Sequence, residues 1–172
     1  MNGSPLSARG AAGASAPPQS AAAGRVVAAL GRRWYLEISG RGPVALLVHG
    51  TGAALGSWRD VAPRLADHCT VVAVDLPGHG RTEAPADRRL ALDPMADDLA
   101  AMLRAEGIAP AIGVGHSAGV AVLLAMALRR PAALRAVVGF GAALVPPPWA
   151  YNTTLAPVVN RIATTRAFAQ VP

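Results

Sequence analysis

Gly115 and Gly119, placed two residues either side of Ser117, constrain this chain more than any other feature. They lie in Val114-Gly115-His116-Ser117-Ala118-Gly119-Val120, after the apolar run Ala111-Ile112-Gly113-Val114 and before an apolar run of helical character. A strand that turns straight into a helix brings two backbones together, and a side chain at either glycine would collide. The serine between them is then held on a sharp turn, with its hydroxyl projecting from the end of a sheet as a nucleophile requires. A tight Gly-Ser turn without chemistry would leave the same short pattern, but the strand before it and the helix after it favour the nucleophile.

The rest of the chain supplies the sheet. Val44–Val48 is apolar at every position, as in a strand buried on both faces; Thr70–Val74 reads as a buried strand and Leu134–Phe140 as one more strand. Val26–Leu30 and Trp34–Ile38 predict a hairpin around Gly31-Arg32-Arg33. Ser57–Ala66 predicts a helix with Trp58, Val61 and Leu65 on one face. A long loop from Asp75 to Leu92 leads into a second helix, with Asp93 as N-cap, Pro94 at its first position and Gly107 at its end. Its apolar face is Met95, Leu99, Met102 and Leu103. The helix after Ser117 groups Val120, Leu123, Leu124, Ala127 and Leu128, and Pro131 stops it. This alternation predicts an α/β fold: a mostly parallel sheet with helices on both faces, preceded by an N-terminal hairpin.

Residues 1–24 are Ala, Gly, Ser and Pro in excess, without the apolar centre of a secretory signal, and predict a disordered extension. Residues 25–144 predict the core. Residues 145–172 open on Pro146-Pro147-Pro148, and Leu155–Phe168 is weakly amphipathic; this stretch reads equally as the start of a cap or as a frayed terminus. The formal charge is +6, yet every basic residue is arginine, the arginines are scattered and aromatics make up 4% of the chain, which argues against nucleic-acid binding. Cys69 has no partner for an intrachain disulfide and reads as a small buried residue. No cluster of Cys and His predicts a metal, and no motif predicts a cofactor. Val120–Leu128 is far shorter than the ~20 apolar residues of a membrane span, so the expected location is the cytoplasm.

A tetrahedral oxyanion needs N–H donors left free by sheet and helix. The candidates are the amide of Ala118, just after the serine, and one from His49-Gly50-Thr51-Gly52, just past Val44–Val48; Thr51 is the first choice and Gly52 the reserve. A phosphate loop would need Gly-Lys-Ser/Thr, and this chain has no lysine; a dinucleotide fingerprint from Gly50 would need Gly or Ala at position 55, which is Leu55. His49 lies in the donor loop, His68 at a helix end, and His79 in Pro77-Gly78-His79-Gly80; His116 should project away from the serine hydroxyl. None occupies the late chain position from which the general base of this chemistry comes. Asp75 ends a strand, as some triad acids do, but with Pro and Gly nearby it reads as a turn former.

These motifs in this order, His49-Gly50-Thr51-Gly52 with Ser57-Trp58, Asp75-Leu76-Pro77-Gly78-His79-Gly80, and Gly115-His116-Ser117-Ala118-Gly119, resemble the α/β-hydrolase fold superfamily from about Val26 to at least Ala143. Within it, the strings GPVALLVHGTGAALGSW, VVAVDLPGHGRT, VGHSAGVAVLLAMAL and GAALVPPP resemble the magnesium-chelatase accessory proteins of bacteriochlorophyll synthesis. The resemblance implies a doubly wound sheet, a cap inserted after the strand near Phe140, Ser117 as nucleophile, and Thr51 and Ala118 as oxyanion donors. It also implies a C-terminal third carrying an acid, a histidine and two more strands. No His, Asp or Glu occurs from Ala118 to Pro172, so the sequence reads as an N-terminal fragment or as a relative that has lost catalysis; the stop inside the expected cap favours the fragment. Two functions are compatible with this. One is a serine hydrolase acting on an ester-like acyl substrate, inactive as these 172 residues alone. The other is a non-catalytic module that binds a porphyrin-like ligand and assists magnesium-chelatase subunits.

Overall fold

Val44–Val48 and Val71–Val74 are apolar at successive positions because both faces of their sheet are covered. The computed structural model describes residues 23–85 and 90–142. Its six strands are β1 (Ala23–Ala29), β2 (Arg32–Ser39), β3 (Val44–Val48), β4 (Thr70–Val74), β5 (Ala111–His116) and β6 (Leu134–Phe140). They form one sheet in the order β1-β2-β4-β3-β5-β6, parallel from β4 to β6, with β1 and β2 antiparallel at one side. The helices are α1 (Ala62–Ala66), α2 (Leu92–Ala105) and α3 (Ala118–Arg129).

Alternate residues of the central strands enter two cores, as the period of two along a strand requires. Leu46, Val48, Val72 and Val74 meet Leu99, Met102 and Leu103 of α2 and Leu123 and Met126 of α3 on one face. Leu47, Val71 and Ala73 meet Leu55, Trp58 and Tyr35 on the other. The mostly parallel α/β sheet and the hairpin read from the sequence are both present. At β5 and β6 the described residues cover only the α3 face: Ile112, Val138 and Phe140, on the opposite face, are exposed.

Several local expectations need correction. The hairpin turns on Leu30-Gly31, both with positive φ (55° and 71°), so Arg32 and Arg33 belong to β2. A two-residue turn of that hand matches the twist of the strands. The helix expected over Ser57–Ala66 is broken into a 3-10 turn, Leu55–Trp58, and the short α1; Trp58 is buried, but Val61 is exposed. Asp93 is not the N-cap of α2: the cap is Ala91, two residues earlier and without a side-chain bond, so Pro94 is the third helical residue, and the Asp93 carboxylate faces Arg129. Met95, Leu99, Met102 and Leu103 are buried as read. Gly107 closes α2 with φ 67°, its N–H bonded to Arg104 O and that of Ile108 to Leu103 O, which satisfies the last carbonyls of the helix. The expected extension over residues 1–24 and the cap over residues 145–172 lie, but for residues 23 and 24, outside the described residues.

The phase of α3 is also different from the one read. Val120 and Leu123 are buried, but with Val122, Ala125 and Met126 rather than with Leu124 and Leu128. The helix is apolar nearly all round, so its sequence does not mark which side meets the sheet. Leu128 is 86% exposed. Leu128→Ser should therefore change unfolding stability by no more than about 0.5 kcal/mol; a larger loss in urea unfolding would mean that Leu128 is covered by another part of the protein.

Candidate active site

The site sits where β3, β4 and β5 end, the edge at which open parallel sheets collect ligands. Ser117 follows β5 directly and occupies the N-cap of α3 at φ 52°, ψ −119°. A non-glycine residue there is strained and persists only where its surroundings fix it. Here they do. The Ser117 N–H donates to Phe140 O at 2.9 Å, and its carbonyl accepts the Val120 N–H at 3.1 Å. A Cβ on Gly115 would stand 2.8 Å from Val120 N; one on Gly119 would stand 2.6 Å from His49 O and nearer still to the Val48 carbonyl. A Cβ on Gly50 would touch the Ser117 Cβ at 3.0 Å. Three glycines thus allow β3, β5 and α3 to converge at Ser117, which remains partly exposed.

The loops around it are locked by buried polar groups. His49 is fully buried; its Nδ1 lies 2.8 Å from Gly50 O and its Nε2 accepts the Leu76 N–H at 3.0 Å. A carbonyl can only accept, so Nδ1 carries the proton and the ring is a neutral tie between the loops after β3 and β4. Burial pulls its pKa down to about 4. With both nitrogens engaged, His49 has no lone pair to act as a base. Asp75 is likewise buried, and its carboxylate accepts the N–H of Leu55 at 2.7 Å and of Arg81 at 2.9 Å. Burial pushes its pKa up against those two bonds. Asp75 is the loop former that its neighbours in sequence suggested.

The loop after β4 is pinned to β2 by groups the sequence reading passed over. Thr82 Oγ1 accepts the Tyr35 N–H at 2.9 Å, Glu83 receives the Arg33 side chain at 2.6 Å, and the Arg81 guanidinium lies 4.4 Å from the centre of the Tyr35 ring. Their only trace in the sequence is an unbroken polar run after the Gly-Pro-rich turn, which reads equally well as solvated loop.

Thr51, Leu76, His79, Leu90, Leu92, Met95, Ala118 and Val122 line one pocket of about 120 Å³. Thr51 and Ala118, the residues expected to supply N–H donors, therefore share a cavity, and Ser117 adjoins it through Ala118. Gly52 is not among the lining residues, and neither are His49, His68 or His116. His116 ends β5 and is exposed. Cys69 is half-buried, away from this edge at the start of β4, with its thiol on Leu65 O at 3.1 Å and its pKa raised by burial. No helix among the described residues is long and apolar enough to cross a membrane.

A family model for the alpha/beta hydrolase fold matches residues 43–164. The chain is 42% identical over 130 residues to the magnesium-chelatase 30 kDa subunit of Rhodobacter capsulatus, covering 74% of this chain and 44% of that protein. It is 37% identical over 152 residues to a 2-hydroxymuconate semialdehyde hydrolase of Pseudomonas sp. strain CF600, covering 82% of this chain and 54% of that protein. An epoxide hydrolase from Vigna radiata superposes with a TM-score of 0.67 at 29% identity, over 74% of this chain and 40% of its own. The chain spans about half the length of the curated relatives it matches. With a family match across most of its length and the sheet order described above, the chain belongs to the α/β-hydrolase fold family.

Proposed function

We propose that Ser117 is the nucleophile of a serine hydrolase acting on a small ester-like acyl substrate, with the backbone N–H groups of Thr51 and Ala118 receiving the oxyanion. The observation that carries this reading is the strained backbone of Ser117 at the end of β5, beside a pocket with Thr51 and Ala118 in its wall. A helix-terminal serine held at φ 52° by three close glycine approaches has no packing role that a relaxed residue could not fill. In the proposed step the Ser117 oxygen bonds to the acyl carbon, its proton passes to a base, and the alcohol leaves; water then releases the acyl group. Residues 118–172 hold no His, Asp or Glu, so the reading assigns the acid and base of the triad to residues outside this sequence.

The test uses imidazole in solution as a surrogate base. With diisopropyl fluorophosphate, imidazole should promote a bond from the Ser117 oxygen to phosphorus with loss of fluoride. Peptide mass spectrometry should find that adduct on Ser117 ahead of every other serine, and not in Ser117→Ala. Equal labelling across the serines would sink the nucleophile. Without imidazole, the 172-residue chain and its Ser117→Ala variant should hydrolyse p-nitrophenyl acetate equally slowly.

A second reading, a non-catalytic accessory module for magnesium-chelatase subunits with a porphyrin-like ligand, is favoured by the identity to the magnesium-chelatase 30 kDa subunit. The strained backbone of Ser117 favours the first, since a module that only binds needs no residue held in that conformation.

A further inference from the structure

The pocket beside Ser117 has two unlike ends. Thr51 and Leu92 are exposed at its rim, whereas Leu76, Met95 and Val122 are buried, with Val122 only 2% exposed. Ala118 and Val122 lie four residues apart on one face of α3. Val122 therefore lines the pocket one helical turn, about 6 Å, beyond the amide proposed to receive the oxyanion. Met95 reaches the same pocket from the first turn of α2, and that turn is tied to α3: Arg129 pairs with Asp93 at 3.4 Å and Arg130 with Asp97 at 3.0 Å. Leu90 packs against Gly78, where a Cβ would stand 3.3 Å from Leu90 Cδ2. No lining residue carries a charge: besides Thr51 the polar one is His79, whose imidazole burial holds neutral, below the usual histidine range.

We propose that this pocket is the acyl subsite, that it takes an uncharged aliphatic acyl chain, and that Val122 and Met95 set how long that chain is. The proposal deepens the hydrolase reading by naming the substrate class, and it rests on that reading for the orientation of the ester. With the carbonyl at the Thr51 and Ala118 end, the chain runs along α3 toward Val122 and Met95 and lies against Leu76 and Leu90. Its methylene groups exchange water for apolar wall, worth about fourfold in affinity for each one buried. A chain ending in a carboxylate would lose the water around its charge and meet no cation among the lining residues, so it is rejected.

Methyl butyrate and monomethyl succinate are the probes: the second places a carboxylate where the first ends in a methyl group. Binding is followed by NMR of the side-chain methyl groups in the full 172-residue chain, which is expected to leave both esters intact. Methyl butyrate should move the Val122 and Met95 resonances and bind at least about tenfold more tightly than monomethyl succinate. Methyl hexanoate, a longer chain, should bind the wild type no better than methyl butyrate. Val122→Ala and Met95→Ala should each favour methyl hexanoate about fourfold or more, as one further buried methylene requires. No bond to Ser117 forms in this experiment, so its failure and the failure of Ser117 to take the diisopropyl fluorophosphate label are read separately. Equal affinity for the first two probes overturns the proposal, as does failure of methyl butyrate to bind. Shifts confined to Ile112 and Val138 on the exposed sheet face, with Val122 and Met95 unmoved at saturation, overturn it even if neither variant folds. A wild-type preference for methyl hexanoate, or no gain in the variants, overturns the assignment of chain length to Val122 and Met95.

Discussion

Gly119→Ala is expected to destabilise the protein by about 3 kcal/mol or more, despite the roughly 1 kcal/mol by which alanine is the better helix former. The methyl group would lie 2.6 Å from His49 O and 2.9 Å from Val48 C. Both are main-chain atoms at the end of β3, in the middle of the sheet, and β3 is held between β4 and β5 from Ala45 to Val48. Neither can swing aside as the tip of a side chain would, so the strain must move α3 off the sheet or β3 out of register. Moving α3 also shifts Ser117, whose N–H is anchored on Phe140 O. Gly56→Ala is the control, since a Cβ there meets nothing within 4 Å. Urea unfolding should show a large fall in midpoint for Gly119→Ala and almost none for Gly56→Ala. Equal midpoints would mean that the close approach of α3 to β3 is not what requires glycine at position 119.

Much of this arrangement was legible in the sequence, and the physical reasons separate what was from what was not. Strands buried on both faces run apolar at successive positions, so β3 and, after Thr70, β4 stood out without reference to partners. The tight turn at Ser117 was legible because Gly115 and Gly119 sit at fixed offsets from it, where strand and helix backbones come close. The phase of α3 was not, because an all-apolar helix leaves the choice of face to the sheet, where Gly113 and Gly139 make room for Leu123 and Val120. The break before α1 was hidden for another reason: Asp75, twenty residues later in the chain, draws the Leu55 N–H into a 3-10 turn. The roles of His49 and His79 are tertiary in the same sense. Sequence placed both at the right edge of the sheet, but only their partners distinguish His49, bonded at both ring nitrogens, from His79, whose Nε2 has no partner among the described residues.

The His49 tie carries its own pH signature. Its folded pKa of about 4 lies below the 6.5 of an unperturbed histidine, because burial deprives the charged ring of water, and this outweighs the Gly50 carbonyl, which favours the charged form. Between those values the unfolded chain binds the proton and the folded chain does not. Stability is therefore complete above about pH 6.5 and falls as pH drops toward about 4, by about 3 kcal/mol in total and about 2 kcal/mol of it by pH 5. His79, also held below the usual histidine range by burial, adds to the loss. Asp75, pushed up by burial, opposes it, since the folded state then takes up that proton more readily. The comparison that isolates His49 is His49→Gln, which keeps an acceptor for Leu76 and cannot be protonated. Wild-type urea midpoints should fall steeply from pH 7 to pH 5, and those of His49→Gln should fall by much less, from a lower start. Parallel slopes in the two proteins would mean that His49 takes up its proton while folded, and that the bond from Leu76 to Nε2 is not what joins the two loops at the site.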